Sequence, residues 1–307
     1  MPRLTVTRSI EMNASIDTVF HILNDFSTWQ TWSPWLIMDP EAKVTVSEDK
    51  KSYEWEGPRS GSGEMKIVKE EENTSLSIDL QFLKPWKSKA KTYFYLTEKG
   101  NKTDVKWVMN SSLPFFMFWM KKMMEMLIGM DYDRGLRLLK DLAEDGEVHS
   151  KLNFVGKESL PEQTFIGVRT SCSIAEMGKK MAEDLPRIHA FVLENKLEIS
   201  GAPFTQYHKW DMKNGRAEYS SAIPVNSAPS NLPEGFYVGT IPATNVYTLE
   251  HVGPYHHLGN AWSTMYNMQR NKEIPVNKKI HPLETYHNNP NEVAANELVT
   301  KIHFPLK

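Results

Sequence analysis

Cysteine is almost missing. Cys172 is the single one in 307 residues, which excludes an internal disulfide and leaves no CxxC pair for a zinc site. An excess of either charge is missing too: 36 Lys and Arg face 38 Asp and Glu, divided 20 against 23 over residues 1–150 and 16 against 15 over 151–307. Neither half carries the concentrated positive footprint of a nucleic acid binder, and no helix-turn-helix pattern is present, so no direct nucleic acid binding is expected. Long apolar runs are absent as well. The nearest, Phe115–Met120, is broken by Lys121, Lys122 and Glu125 well short of a span, so no membrane partner is expected. The opening Met-Pro-Arg-Leu-Thr-Val reads into a strand without the apolar core of a secretory leader, which together with the lone cysteine predicts a cytoplasmic protein.

What is present is aromatic. Nine Trp, thirteen Phe and eleven Tyr accompany 40% hydrophobic and 24% charged residues. This is a globular composition with aromatics enough to line ligand cavities as well as cores, and the length suits two domains.

In the first half, Leu4, Val6, Ile10 and Met12 alternate with polar residues as in a half-buried strand. Asn13-Ala14-Ser15 offers caps for an amphipathic helix at Ile16–Leu23. Trp29, Trp32 and Trp35 then fall within seven residues, with Pro34 forbidding a regular helix; they either cover the end of a core or close over a ligand. Strand patterns follow at Lys43–Ser47, Ser52–Glu56, Gly63–Glu70, Thr74–Phe82, Ser88–Thr97 and Thr103–Asn110, separated by turn residues, which predicts an antiparallel meander. Leu113–Glu144 reads as a long helix, with Tyr132, Leu136, Leu139 and Ala143 at helical spacing. Its front end, from Phe115, is expected to plug the mouth of a cavity, and Met117–Met130 to pack a core or line adaptable space.

This order of elements, with the segment Ile10–Trp35 and the closing helix, resembles the START-like polyketide cyclase/dehydrase superfamily over about residues 1–146. The resemblance implies a helix-grip fold whose long helix and sheet hold an apolar ligand between them. Trp32, Trp35, Trp55, Trp107 and Phe115 are the candidate lining of that N-terminal cavity. Members include binding proteins, cyclases and co-chaperones, so the fold alone selects no activity.

The polar stretch Glu144–Lys151 contains Gly146 and marks the expected domain boundary. Beyond it the chain repeats itself. Pro203-Phe-Thr-Gln-Tyr207 is echoed by Pro282-Leu-Glu-Thr-Tyr286. Each is preceded by a β-like run and a helix-like run ending in Asn-Lys (Asn195-Lys196, Asn271-Lys272) and followed by a strand ending Ile223-Pro-Val225 or Phe304-Pro-Leu306. The offsets run from 76 to 81 residues, which predicts a duplicated β-α-β-β unit. Gln163–Thr170 and Asn245–His251 read as its leading strands, Ile174–Glu194 (capped by Ser173, with Pro186 inside) and Leu258–Gln269 as its helices, and Asn226–Pro242 as a long loop between the copies.

In the repeated strand, residues two apart share a face, so Glu284 lies beside Tyr286 where the first copy has Thr205 beside Tyr207. An inward carboxylate is costly unless it is paired, protonated or meets a cation, which makes Glu284 the first functional candidate; a solvated face or a salt bridge to Lys301 is the structural alternative. His251-Val-Gly-Pro-Tyr255, Leu283-Glu-Thr-Tyr286 with Asn289-Pro290, and the closing Glu297–Leu306 together resemble the effector-binding domain of the DNA gyrase inhibitor-like superfamily, shared with AraC- and MerR-type regulators, over roughly residues 153–307. The resemblance implies an aromatic cleft between two pseudo-symmetric halves with a Glu at its floor that meets cationic, planar ligands. Glu284 takes the floor position; Tyr255, Tyr286 and Trp262 are candidate walls, and Tyr207 joins them as a ligand-binding candidate. Regulators of this type carry a DNA-binding domain, where this chain has a START-like one.

The fold class expected is α+β: an N-terminal helix-grip domain and a C-terminal duplicated β-α-β-β effector-binding domain. The expected partner is a small hydrophobic or cationic aromatic molecule that the protein binds or senses. Relatives that open strained rings keep a second reading in view, a hydrolase with Glu284 as general base and Tyr255 or Tyr286 as hydrogen-bond donor. A third is an interaction module docking on a protein partner. Adjacent His256 and His257 diverge and belong to no HExxH pattern, Cys172 has no readable His/Asn partner, and the glycines of Gly57–Gly63 form no phosphate loop; neither a metal nor a cofactor is expected.

Overall fold

The computed structural model describes residues 3–212, 214–229 and 231–307; Met1, Pro2 and Ser230, which the expectations above touch, lie outside the described residues. The chain divides into two compact units, Met1–Ser150 and Lys151–Lys307.

The period-two pattern at the N-terminus forms β1 (Arg3–Met12), which buries Leu4, Val6 and Met12 on one face. Ser15 then caps α1 (Ile16–Asn24), its side chain accepting from the Thr18 N–H at 3.1 Å. The short α2 (Trp29–Trp32) ends just before Pro34. The expected meander follows: β2 (Lys43–Val46), β3 (Ser52–Gly57), β4 (Gly61–Glu71), β5 (Ser75–Lys84), β6 (Ser88–Lys99) and β7 (Lys102–Ser112), paired antiparallel in sequence with β1 closing beside β7. The expected single helix after β7 is two pieces, a 3-10 segment at Phe115–Met120 and then α3 (Lys121–Asp145). Gly146, at φ +78°, ends α3 by placing its N–H on the Leu142 carbonyl at 3.1 Å, a conformation that a Cβ would strain. Tyr132, Leu136 and Leu139 of α3 bury against Val6, Ile78, Phe94 and Trp107 of the sheet.

The second unit holds β8 (Lys151–Leu160), β9 (Gln163–Ser173), α4 (Met177–Glu194), β10 (Phe204–Asp211), β11 (Arg216–Pro224), β12 (Phe236–Ile241), β13 (Thr244–Val252), α5 (Leu258–Arg270), β14 (Leu283–Tyr286) and β15 (Val299–Pro305). The duplication is as expected, β9-α4-β10-β11 and β13-α5-β14-β15. The stretch expected as one long loop contains β12, and β8 precedes the first copy. The eight strands form one antiparallel sheet in the order β12-β9-β11-β10-β14-β15-β13-β8. Each copy thus takes its outermost strand from the segment preceding the other copy. The two halves meet at β10 and β14, where Thr205 lies opposite Glu284, so the echoed pentapeptides are the central pair of strands. The fold class is α+β, a helix-grip sheet with its long closing helix and a duplicated effector-binding sheet.

Candidate functional site

The register that sets Thr205 against Glu284 also places Ser221 across from Thr205 and Ile302 across from Glu284. Directly opposed residues point to the same face. Lys301 instead opposes Thr285, on the other face of β14, so the sequence-based salt bridge to Glu284 does not form. Only 2% of Glu284 is exposed. Its Oε1 accepts from the Tyr207 hydroxyl at 2.8 Å and the Tyr286 hydroxyl at 2.8 Å, and its Oε2 accepts from the Trp262 indole N–H at 2.6 Å. The Tyr286 hydroxyl also lies 2.9 Å from Thr205 Oγ1. Among the described residues no Lys, Arg or His forms an ion pair with this carboxylate.

Burial lifts the Glu284 carboxyl above the ordinary carboxylate range, and the hydrogen bonds from Trp262, Tyr286 and Tyr207 pull it partly back. The same pocket pushes the Tyr207 and Tyr286 hydroxyls well up, first by burial and then by the charge of Glu284, so both remain donors.

The rings that touch the carboxylate are held by other rings. Tyr207 meets Trp262 edge-on at 4.8 Å and stacks on Trp210 at 5.2 Å, and Trp262 packs against Phe304 at 5.7 Å. Tyr255 is partly exposed and meets Tyr286 edge-on at 5.8 Å. The five expected residues, Glu284, Tyr286, Tyr255, Trp262 and Tyr207, are therefore brought together. Two more belong to the same face and escaped the sequence. Trp210 is three residues from Tyr207, which strict alternation sends to the opposite face; a bulge between Tyr207 and Lys209 turns it back. Asp184 of α4 is a second buried acid, accepting from Thr170 Oγ1 at 2.8 Å and the Tyr219 hydroxyl at 3.4 Å. It was findable, since it lies within the Met181–Leu185–Ile188 face of the helical pattern.

Polar groups without partners collect here. Trp210 Nε1, Ser221 Oγ and Thr300 Oγ1 are buried and make no hydrogen bond among the described residues; Ser221 opposes Thr205, and Thr300 opposes Tyr286. Buried polar atoms are rarely left so in a folded protein, and a bound molecule is one way to satisfy them. Cys172 is buried and its thiol is pushed up, chiefly by burial, which keeps it a thiol rather than a nucleophilic thiolate.

In the first unit the expected cavity lining is distributed differently. Trp32 and Trp107 are fully buried; Trp107 stacks on Tyr132 at 3.7 Å and on Phe94 at 4.8 Å and donates to Thr92 Oγ1 at 2.7 Å. Together with Trp29 these rings are core, filling the space between α3 and the sheet. Trp35, half-buried, donates to Asp131 at 3.2 Å, and Trp55, also half-buried, packs against Tyr53 and Phe82. Phe115 is 78% exposed and plugs nothing: its 3-10 segment buries no residue. An apolar run read as covered is in fact presented outward. A recess of about 910 Å³ lies on the other face of the sheet, where Thr5, Glu64, Lys66, Asp79, Lys91 and Asn110 line it.

Comparison with known proteins places these units. Residues 155–307 match the model of the GyrI-like small molecule binding domain, and residues 3–144 match that of the polyketide cyclase/dehydrase and lipid transport family. None of the curated proteins compared matches the chain. Among solved structures it is similar to the EcmrR–DNA complex seen by cryo-EM, with 19% identity and TM-score 0.44 over 61% of this chain and 68% of that one. It is also similar to the crystal structure of the EcmrR C-terminal domain, with 23% identity and TM-score 0.43 over 52% and 98%. SAV2435 bound to tetraphenylphosphonium follows at 13% identity and TM-score 0.38 over 49% and 92%. The two family models thus give two domains in series, one of the polyketide cyclase/dehydrase and lipid transport type over residues 3–144 and one of the GyrI-like small molecule binding type over residues 155–307.

Proposed function

We propose that the second unit binds flat aromatic cations, with Glu284 as counter-ion and Tyr207, Trp262, Tyr286 and Tyr255 as the walls, and that the protein senses or sequesters such compounds. The observation that carries this reading is a buried carboxylate held by three ring donors and by no cation of the protein. A ligand cation placed there gains a desolvated counter-charge and the faces of Tyr and Trp, each worth on the order of 1 kcal/mol or more. The partnerless Ser221 and Thr300 hydroxyls on neighbouring strands offer it further polar contacts. Tyr255, the exposed member of the set, is the entrance side. The geometry lends nothing to the general-base reading, because both Glu284 oxygens already accept from aromatic donors.

A ligand that binds only the folded state raises the melting temperature. Ethidium and tetraphenylphosphonium are expected to stabilise the wild-type chain, and apolar carboxylic acids of similar size to leave it unchanged. In Glu284→Gln the cation effect is expected to vanish. Equal shifts in both proteins would remove Glu284 as the counter-ion.

A further inference from the structure

The surface of the first unit is unusual at one end. Trp86 is 61% exposed and Trp119 69%, and Phe115, Phe116, Phe118, Met123 and Leu127 are exposed as well. Trp86 sits in the turn between β5 and β6, while Phe115–Met120 follows β7. The register Phe82↔Ser88 and Ala90↔Ser111 brings both connections out at the same end of adjacent strands. Monomeric soluble proteins seldom leave so many large apolar side chains together without a use for them.

Within the two aromatic segments the charges are of one sign. Leu83–Ala90 and Leu113–Met124 contain Lys84, Lys87, Lys89, Lys121 and Lys122 and no Asp or Glu, in a chain whose net charge is −2. Lys84 pairs with Glu56 at 2.7 Å and Lys121 with Glu125 at 3.6 Å. Among the described residues Lys87, Lys89 and Lys122 form no ion pair. Among the described residues no helix is long and apolar enough to cross a membrane, and Phe115–Met120 is six residues long, so the patch can lie in an interface but not span it.

We propose that this end of the first unit docks on an anionic lipid surface, with Trp86, Phe115, Phe116 and Trp119 in the headgroup–acyl boundary and Lys87, Lys89 and Lys122 against the headgroups. Indole rings favour that boundary, and lysines reach from it to anionic phosphates along their apolar stems. A protein-binding face is depleted in lysine, whereas here the only charged residues within both aromatic segments are lysines. The charge pattern therefore favours lipid over a protein partner or a second copy of the chain.

The test is flotation of the full chain with vesicles of phosphatidylcholine alone and of an equimolar phosphatidylcholine–phosphatidylglycerol mixture. Binding is expected to the anionic vesicles only and to weaken as salt is raised. Neutralising Lys87, Lys89 and Lys122 to Gln should weaken it about five-fold per lysine, and Phe116→Ser with Trp119→Ser should abolish it while the melting temperature is unchanged. No flotation with anionic vesicles overturns the proposal. So does equal flotation of the Phe116/Trp119 variant, or a wild-type dimer in light scattering that the variant disperses without any vesicle binding.

Discussion

Glu284 shows how much one side chain's surroundings decide. A carboxyl whose pKa is raised in the folded state favours folding when protonated. That contribution is present below the ordinary value of 4.5 and is lost as pH climbs through the raised one. The melting temperature of Glu284→Gln relative to wild type should therefore rise with pH above about 4.5, a difference read directly from paired melting curves; a pH-independent offset would mean that Glu284 is not held in a desolvated state. Cation affinity should climb over the same window, since the ionised form is the counter-ion. Glu284 was legible because the echo between Pro203–Tyr207 and Pro282–Tyr286 set it against Thr205. Trp210 was not, because a bulge reverses the alternation on which facing arguments rest. Its indole N–H, buried and without a partner, is the kind of feature that only coordinates reveal.

Among elements, strongly periodic ones were readable and outer ones were not. β4, β5, β6 and α1 form where alternation or helical spacing placed them, within a few residues. β8 was missed because the pairing skips Val155, between Gly156 (φ +98°) opposite Thr248 and Phe154 opposite Leu249, so its apolar residues change face midway. β12 was hidden in a segment rich in Pro, Ser and Gly. The run Phe115–Met120 is the converse case: composition alone says that it is apolar, and only its surroundings say whether anything covers it. The contrast between two tryptophans tests this. Trp107, buried against Tyr132, Phe94 and Trp32, should cost about 3–5 kcal/mol of stability when changed to Ala. Trp119, exposed after β7, should change stability by less than about 0.5 kcal/mol. Chemical denaturation of the two variants checks both, and a large loss at Trp119 would mean that the 3-10 segment is packed.

At the scale of the whole molecule, the chain has two compact units that match different family models, each with its own core. The pairing of families was legible from the order of elements in the first and from the internal repeat in the second. What the repeat could not convey is that its two copies exchange outer strands and meet along β10 and β14. That junction sets the one buried acid of the central strands where the two copies of the second unit meet, among rings contributed by both: Tyr207 from the first, Trp262 and Tyr286 from the second. The cation-binding account rests on that convergence. Its most direct test is calorimetric titration of the full chain with N-methylacridinium and with neutral acridine, two molecules of nearly the same shape that differ in charge. The account predicts that wild type binds the cation about ten-fold or more tightly than the neutral ring, and that Glu284→Gln binds the two alike. An undiminished preference in the variant, or none in wild type, would contradict it.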